Sequence, residues 1–175
     1  MSSVFAGFLS VASALIAEAQ KQSDLLAAEA FYRRAISTAY YALFHRLTED
    51  SACLLFGHLD QHRQTAFRRS IGHRDFKGLR KDLEDQRQQA DRAGLSERKQ
   101  VLAGLLVLCA DLIQLQESRE LADYAPAIED PSTTAEEALL LAEVALQNWE
   151  TMPESAQRLL AQSLLWNLKF SQLGR

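Results

Sequence analysis

At 175 residues with a formal net charge of −4, the chain is long enough for one domain, or one domain with a helical extension, and exerts no global attraction on nucleic acid or anionic lipid. Apolar residues make up 47% and there are only seven Gly and three Pro, a balance that excludes low-complexity and collagen-like chains and favours helices nearly throughout.

The first expected helix runs from Val4 to about Gln22. Its apolar start lacks a preceding basic region and passes into the amphipathic Ala17-Glu-Ala-Gln, so it reads as a core helix and not as a signal peptide. Ser23 is placed to cap a second helix, from Asp24 past His45 toward Leu55, which Gly57 ends. A third helical region spans Gln61 to Gln89, weakened near Gly72 and Gly78, and a turn containing Gly94 follows. Ser96 caps a fourth helix from Glu97 to about Ala122. Pro126 and Pro131 bracket a loop, after which Thr133 with Glu136 and Thr134 with Glu137 are capping-box pairs for a fifth helix ending near Trp149. Thr151, Pro153 and Glu154 open a last helix to about Phe170.

Strand signals and internal repeats are absent from this reading. The expected fold is therefore all-α: an antiparallel up-and-down helical bundle of five or six helices in all, with the bundle proper over 1–150 and a C-terminal helical extension over 151–175. The extension carries Leu159, Leu160, Leu164, Leu165, Trp166 and Leu168, which suits a cap on the bundle or an oligomer interface. The longest wholly apolar run, Val101 to Ala110, falls well short of the ~20 residues of a membrane span. Cys53 and Cys109 each sit in an apolar helical run and form no motif, as expected of reduced, buried thiols in a cytoplasmic protein.

The second helix holds the densest pattern, Phe31-Tyr-Arg-Arg-Ala-Ile-Ser-Thr-Ala-Tyr-Tyr-Ala-Leu-Phe-His45. Helical spacing buries Ala35, Ile36, Ala39, Tyr40, Leu43, Phe44 and Leu47 on one side, with Ala28 and Phe31 or Tyr32 at its start. A second stripe holds Arg34, Ser37, Tyr41, His45 and Thr48, an unusual set for a helix that is only scaffold. Downstream, Arg119 and Asp123 stand four apart on the closing turn of the fourth helix, and Tyr124 follows. Between Gln61 and Lys81 lie Arg63, Arg68, Arg69, Arg74, Lys77, Arg80 and Lys81 against one acid, Asp75. That concentration marks either a phosphate- or RNA-contacting face or a solvated helix that pairs with acidic helices. His58 and His62 share the i, i+4 spacing of two metal ligands, but no third ligand stands near and no metal site is assigned. Walker loops, dinucleotide fingerprints and nucleophile elbows are missing, which speaks against most classical enzyme classes, and no cofactor is expected.

The Phe31 to His45 pattern resembles the signature helix of the HEPN superfamily, small helical domains named for nucleotide binding. The resemblance covers about Val4 to Trp149 and is densest on this helix; Thr38 departs from it, because many relatives carry an Arg before the Ala-Tyr-Tyr-Ala run. Ribonuclease members carry an Arg, a short spacer and a His whose ring serves as acid or base in phosphodiester cleavage, and two such motifs meet across a dimer. Here Arg119 matches the Arg and Tyr124 takes the place of the His, as in a non-nuclease branch that reads Ala-Asp-Tyr. Tyrosine ordinarily titrates near ~10 and is a poor base at neutral pH.

The resemblance implies a homodimer and a non-catalytic nucleotide- or RNA-binding or regulatory module, paired with a small nucleotidyltransferase in a toxin–antitoxin-like system. The alternative it implies is a metal-independent endoribonuclease acting as a dimer, with Arg119, Tyr124 and His45 as the catalytic candidates. The binding candidates are Arg34, Ser37, Tyr41, His45, Arg63, Arg68, Arg69, Arg74 and Arg119.

Overall fold

A computed structural model describes residues 4–58 and 60–173, with side chains described between 7 and 168. The described residues are helical, in seven elements: α1 (Val4–Ala19), α2 (Leu25–Phe56), α3 (Gln61–Ser70), α4 (Asp75–Arg92), α5 (Ser96–Tyr124), α6 (Pro131–Thr151) and α7 (Glu154–Leu173). The all-α expectation holds.

The count exceeds the expected five or six because the third helical region is two helices. Ile71 takes extended backbone after α3 and is buried, and the Gly72 amide donates to Asp75 Oδ2 at 2.6 Å, fixing the break. Gly78, also expected to weaken this region, sits inside α4 with open space around it and breaks nothing. Three caps also differ from expectation. Asp24, not Ser23, caps α2, accepting from the Leu26 amide at 2.9 Å. Asp130, one residue ahead of Pro131, accepts from the Thr133 amide at 3.2 Å, so α6 starts earlier than the Thr133 and Thr134 boxes would place it. Ser96 is the first residue of α5 and not its cap. Gly94, with φ +68, closes α4 as expected: the Leu95 amide returns to the Ala90 carbonyl at 2.9 Å.

The helices form two compact units. Unit 1 takes in α1, α2 as far as Arg46, α5 from Asp111 and α6 as far as Gln147. Its core is rich in alanine, at Ala12, Ala19, Ala35, Ala39, Ala42, Ala135, Ala138, Ala142 and Ala145, and Ile36, Tyr40, Leu43 and Leu112 fill the space between. Small side chains on facing helices let backbones approach closely, and the four alanines of α6 recur at i, i+3, i+7 and i+10, one face of a helix. Unit 2 holds the C-terminal part of α2, α3, α4, the N-terminal part of α5, the end of α6 from Asn148 and α7. Phe76, Leu79, Leu83, Leu102, Leu105, Leu108, Leu160 and Leu164 form its core around Trp149, whose ring is fully buried. The indole N–H donates to Asp50 Oδ2 at 2.8 Å, so the ring is buried without stranding its donor.

α5 is long and apolar enough to cross a bilayer by length and composition, which the wholly apolar run alone does not reveal. Its leucines at 102, 105, 108, 112 and 115 are nevertheless all buried within the protein. Cys109 is buried as expected; Cys53 is only partly so, and neither is in a disulfide.

Tyr40 is 1% exposed whereas Tyr41 is half-buried. Tyr40→Ala is therefore expected to lower unfolding free energy by ~3–5 kcal/mol, and Tyr41→Ala by much less. Equal losses in urea denaturation would contradict this packing of α2.

Candidate functional site

Unit 1 brings together two patterns that lie more than seventy positions apart in the chain, the polar stripe of α2 and the closing turn of α5. Ser37, on a fully buried turn of α2, donates its hydroxyl to Asp123 Oδ1 at 2.7 Å. The other oxygen of Asp123 lies 2.7 Å from Arg119 Nε. Arg119 and Asp123 are one turn apart on α5, so helix geometry alone makes them neighbours. The contact is short but poorly aligned: Arg119 Nε is buried and has no acceptor along its N–H direction. It is a charge contact that holds the guanidinium in place.

The guanidinium lies between two phenol rings, its central carbon 5.9 Å from the Tyr41 centroid and 5.7 Å from the Tyr124 centroid. Both distances suit cation–π attraction, which strengthens as water is excluded, and the Arg119 side chain is only 15% exposed. Burial opposes its charge, but Tyr41, Asp123 and Tyr124 outweigh burial and hold its pKa above the ordinary arginine value. Tyr124 itself is 74% exposed, so one wall of this site faces solvent.

The row of rings continues away from Arg119. His45 stacks on Tyr41 at 5.7 Å and on Phe8 of α1 at 5.6 Å, with interplanar angles of 19° and 25°. Its ring is therefore sandwiched, while the residue stays exposed. Phe8, His45, Tyr41, Arg119 and Tyr124 form a continuous run of flat groups across three helices.

Arg33 positions the closing turn of α5. Its Nη1 donates to the carbonyls of Ala122 and Ala125 at 2.8 and 2.9 Å, and Glu29 holds its other edge at 2.6 to 2.8 Å. The last carbonyls of a helix have no intrahelical donor, and a cation there also complements the helix dipole. One guanidinium thus ties the turn carrying Arg119, Asp123 and Tyr124 to α2.

Not every residue of the expected site joins it. Arg34 is exposed, and its backbone carbonyl accepts from Thr38 Oγ1 at 2.7 Å. Thr38 is buried at 7% exposure, where a long Arg would not fit without rearrangement. Thr48 belongs to unit 2 and is buried. Arg63, Arg68, Arg69 and Arg74 also belong to unit 2 and are all exposed. Arg63 pairs with Asp60 at 3.2 Å, Arg68 with Glu49 at 3.8 Å and the neighbouring Arg80 with Glu84 at 3.1 Å, so part of the basic segment is matched to acids within its own unit. Such exposed pairs contribute little to stability. His58 lies in the turn ahead of α3 and His62 inside it, so the helical i, i+4 pairing does not form.

Two members were not singled out from sequence. Arg33 stands next to the stripe and was signalled only by Glu29 four residues before it; Phe8 gave no signal beyond an apolar residue on α1.

No protein-family model, no curated protein and no solved structure matches this chain.

Arg33→Ala strips two charge-assisted hydrogen bonds from the α5 terminus and is expected to destabilise the chain by roughly 2 kcal/mol, with Arg33→Lys in between. Unchanged urea midpoints for both would show that the α5 turn does not depend on this anchor.

Proposed function

We propose that this chain is a HEPN-like, non-catalytic module that binds a nucleotide or single-stranded RNA at the Arg119 site. One observation carries the reading: a permanently charged guanidinium sits 5.9 and 5.7 Å from the centroids of two aromatic rings, one of them largely exposed. A phosphate is attracted by that charge, and a base stacks on the exposed face of Tyr124; base–aromatic stacking adds ~1–3 kcal/mol per base. The chain's negative net charge argues against broad, nonspecific nucleic-acid binding and for a small number of contacts. The resemblance on α2 adds a homodimer and a small nucleotidyltransferase partner to this proposal, in a toxin–antitoxin-like pairing.

The second reading, a metal-independent ribonuclease, is favoured by one arrangement. His45 and Arg119 flank the same Tyr41 ring, placing an imidazole and a guanidinium on one surface. Against it, the position that aligns with the ribonuclease His holds Tyr124.

Titration of fluorescent single-stranded RNA, read by anisotropy, tests the first reading. Arg119→Ala should weaken binding by about tenfold or more, the cost of one hydrogen bond to a charged group. Equal binding by the wild type and Arg119→Ala would remove the site from the account. If the basic segment adds contacts, a combined change of Arg68, Arg69 and Arg74 to Gln should flatten the slope of log affinity against log salt by about two, since each single-strand phosphate contact contributes roughly 0.7. A lower melting temperature with an unchanged slope would assign those arginines to internal pairing.

Incubation of the purified chain with RNA should give no cleavage. Cleavage that disappears in both Arg119→Ala and His45→Ala would establish the ribonuclease reading in its place.

A further inference from the structure

Unit 2 contains a cleft of about 730 Å³ along the seam between α4 and α7, within the usual size of a ligand site. Asp82, Asp85 and Gln86 from α4 face Gln162, Trp166 and Asn167 from α7 across it. Both sets follow helical periodicity, so each presents a continuous stripe to the cleft. Although α4 carries Lys77, Arg80, Lys81 and Arg87, none of these lines the cleft. Among the described residues no basic side chain pairs with Asp82 or Asp85, and the cleft wall formed by α4 is locally acidic.

Two further observations narrow the occupant. Asn167 Nδ2 is buried and has no hydrogen-bond partner among the described residues, so a donor at the cleft wall lacks an acceptor. A buried donor left unsatisfied costs stability, and an occupant that brings a carbonyl removes that cost. Trp166 is 62% exposed on the same wall, unusual for the largest aromatic side chain.

We propose that this cleft docks an arginine-bearing segment of a partner protein. The planar guanidinium matches carboxylates in bidentate fashion and stacks on an indole face, which an ammonium does less well. A peptide carbonyl beside that arginine accepts from Asn167 Nδ2, and the Gln86 and Gln162 amides can both give and accept along a backbone. A phosphate-bearing ligand is disfavoured by the two carboxylates. The site is independent of the Arg119 surface, so either can fail without the other.

The protein carries its own reporter, because it has two tryptophans and Trp149 is fully buried while Trp166 faces the cleft. The full-length chain is titrated with N-acetyl-glycyl-arginyl-glycine amide and with the same peptide carrying citrulline, the neutral isostere. The arginine peptide should shift tryptophan emission with saturation, the citrulline peptide should bind about tenfold more weakly or less, and added salt should weaken the arginine peptide. The double change Asp82→Asn and Asp85→Asn should reduce affinity at least tenfold while circular dichroism stays unchanged. Trp166→Phe should abolish the signal, with binding still seen by calorimetry at reduced affinity. Equal response to both peptides, a response that survives the double Asn change, or a saturable response to a single-stranded RNA of similar size that exceeds that of the peptide would each overturn the proposal. Absence of any response at millimolar arginine peptide would do the same.

Discussion

The grip of Arg33 on the end of α5 is the constraint from which the candidate site follows. Helix ends are where backbone carbonyls lack partners, and a closing turn frays unless something satisfies it. Arg33 satisfies two such carbonyls and is itself held by Glu29, so the turn is anchored to the middle of α2. Ser37 repeats the tie one turn further along α2, through Asp123. With both in place, Arg119 lies against Asp123 and near the rings of Tyr41 and Tyr124. The site is therefore made by tertiary anchoring of a helix terminus and not by a flexible loop.

The alanine-rich interior of unit 1 makes these short ties feasible. A serine hydroxyl and an aspartate reach each other only when the helices carrying them lie close together, and the buried alanines of α2 and Ala122 of α5 add little bulk between them. The same close packing explains why Thr38 is buried: small and able to bond back to the Arg34 carbonyl, it fits where a longer side chain would push the helices apart. Unit 2 is built differently, around large leucines and a fully buried Trp149 whose one polar atom is matched to Asp50.

Much of this was legible along the chain because helix periodicity is a local signal. The buried stripe from Ala35 to Leu47 and the exposure difference between Tyr40 and Tyr41 follow from 3.6-residue spacing alone. So does the Arg119 to Asp123 pair. Cap choice was less legible, since Ser23 and Asp24 are both good caps and only the backbone path decides between them. The break at Gly72 and continuity at Gly78 look alike in sequence; the difference lies in Ile71, which leaves the helix to bury its side chain. The approach of Ser37 to Asp123, the role of Arg33 and the Phe8 contact with His45 depend on which helices become neighbours, and no local pattern encodes that. The polar stripe on α2 was also not one surface: Arg34 is exposed, Ser37 and Thr48 are buried, and Tyr41 and His45 join the row of rings.

Side-chain NMR of arginine addresses the Arg119 site most directly. The Nε–H resonance of Arg119, assigned by its loss in Arg119→Lys, is followed while a nucleoside monophosphate and the corresponding nucleoside are added in turn. The monophosphate should move the Arg119 signal and the Tyr124 ring signals together with one saturation curve, and the nucleoside should move the ring signals with at most a small effect on Arg119. An Arg119 resonance that stays in place while signals elsewhere titrate would contradict the account.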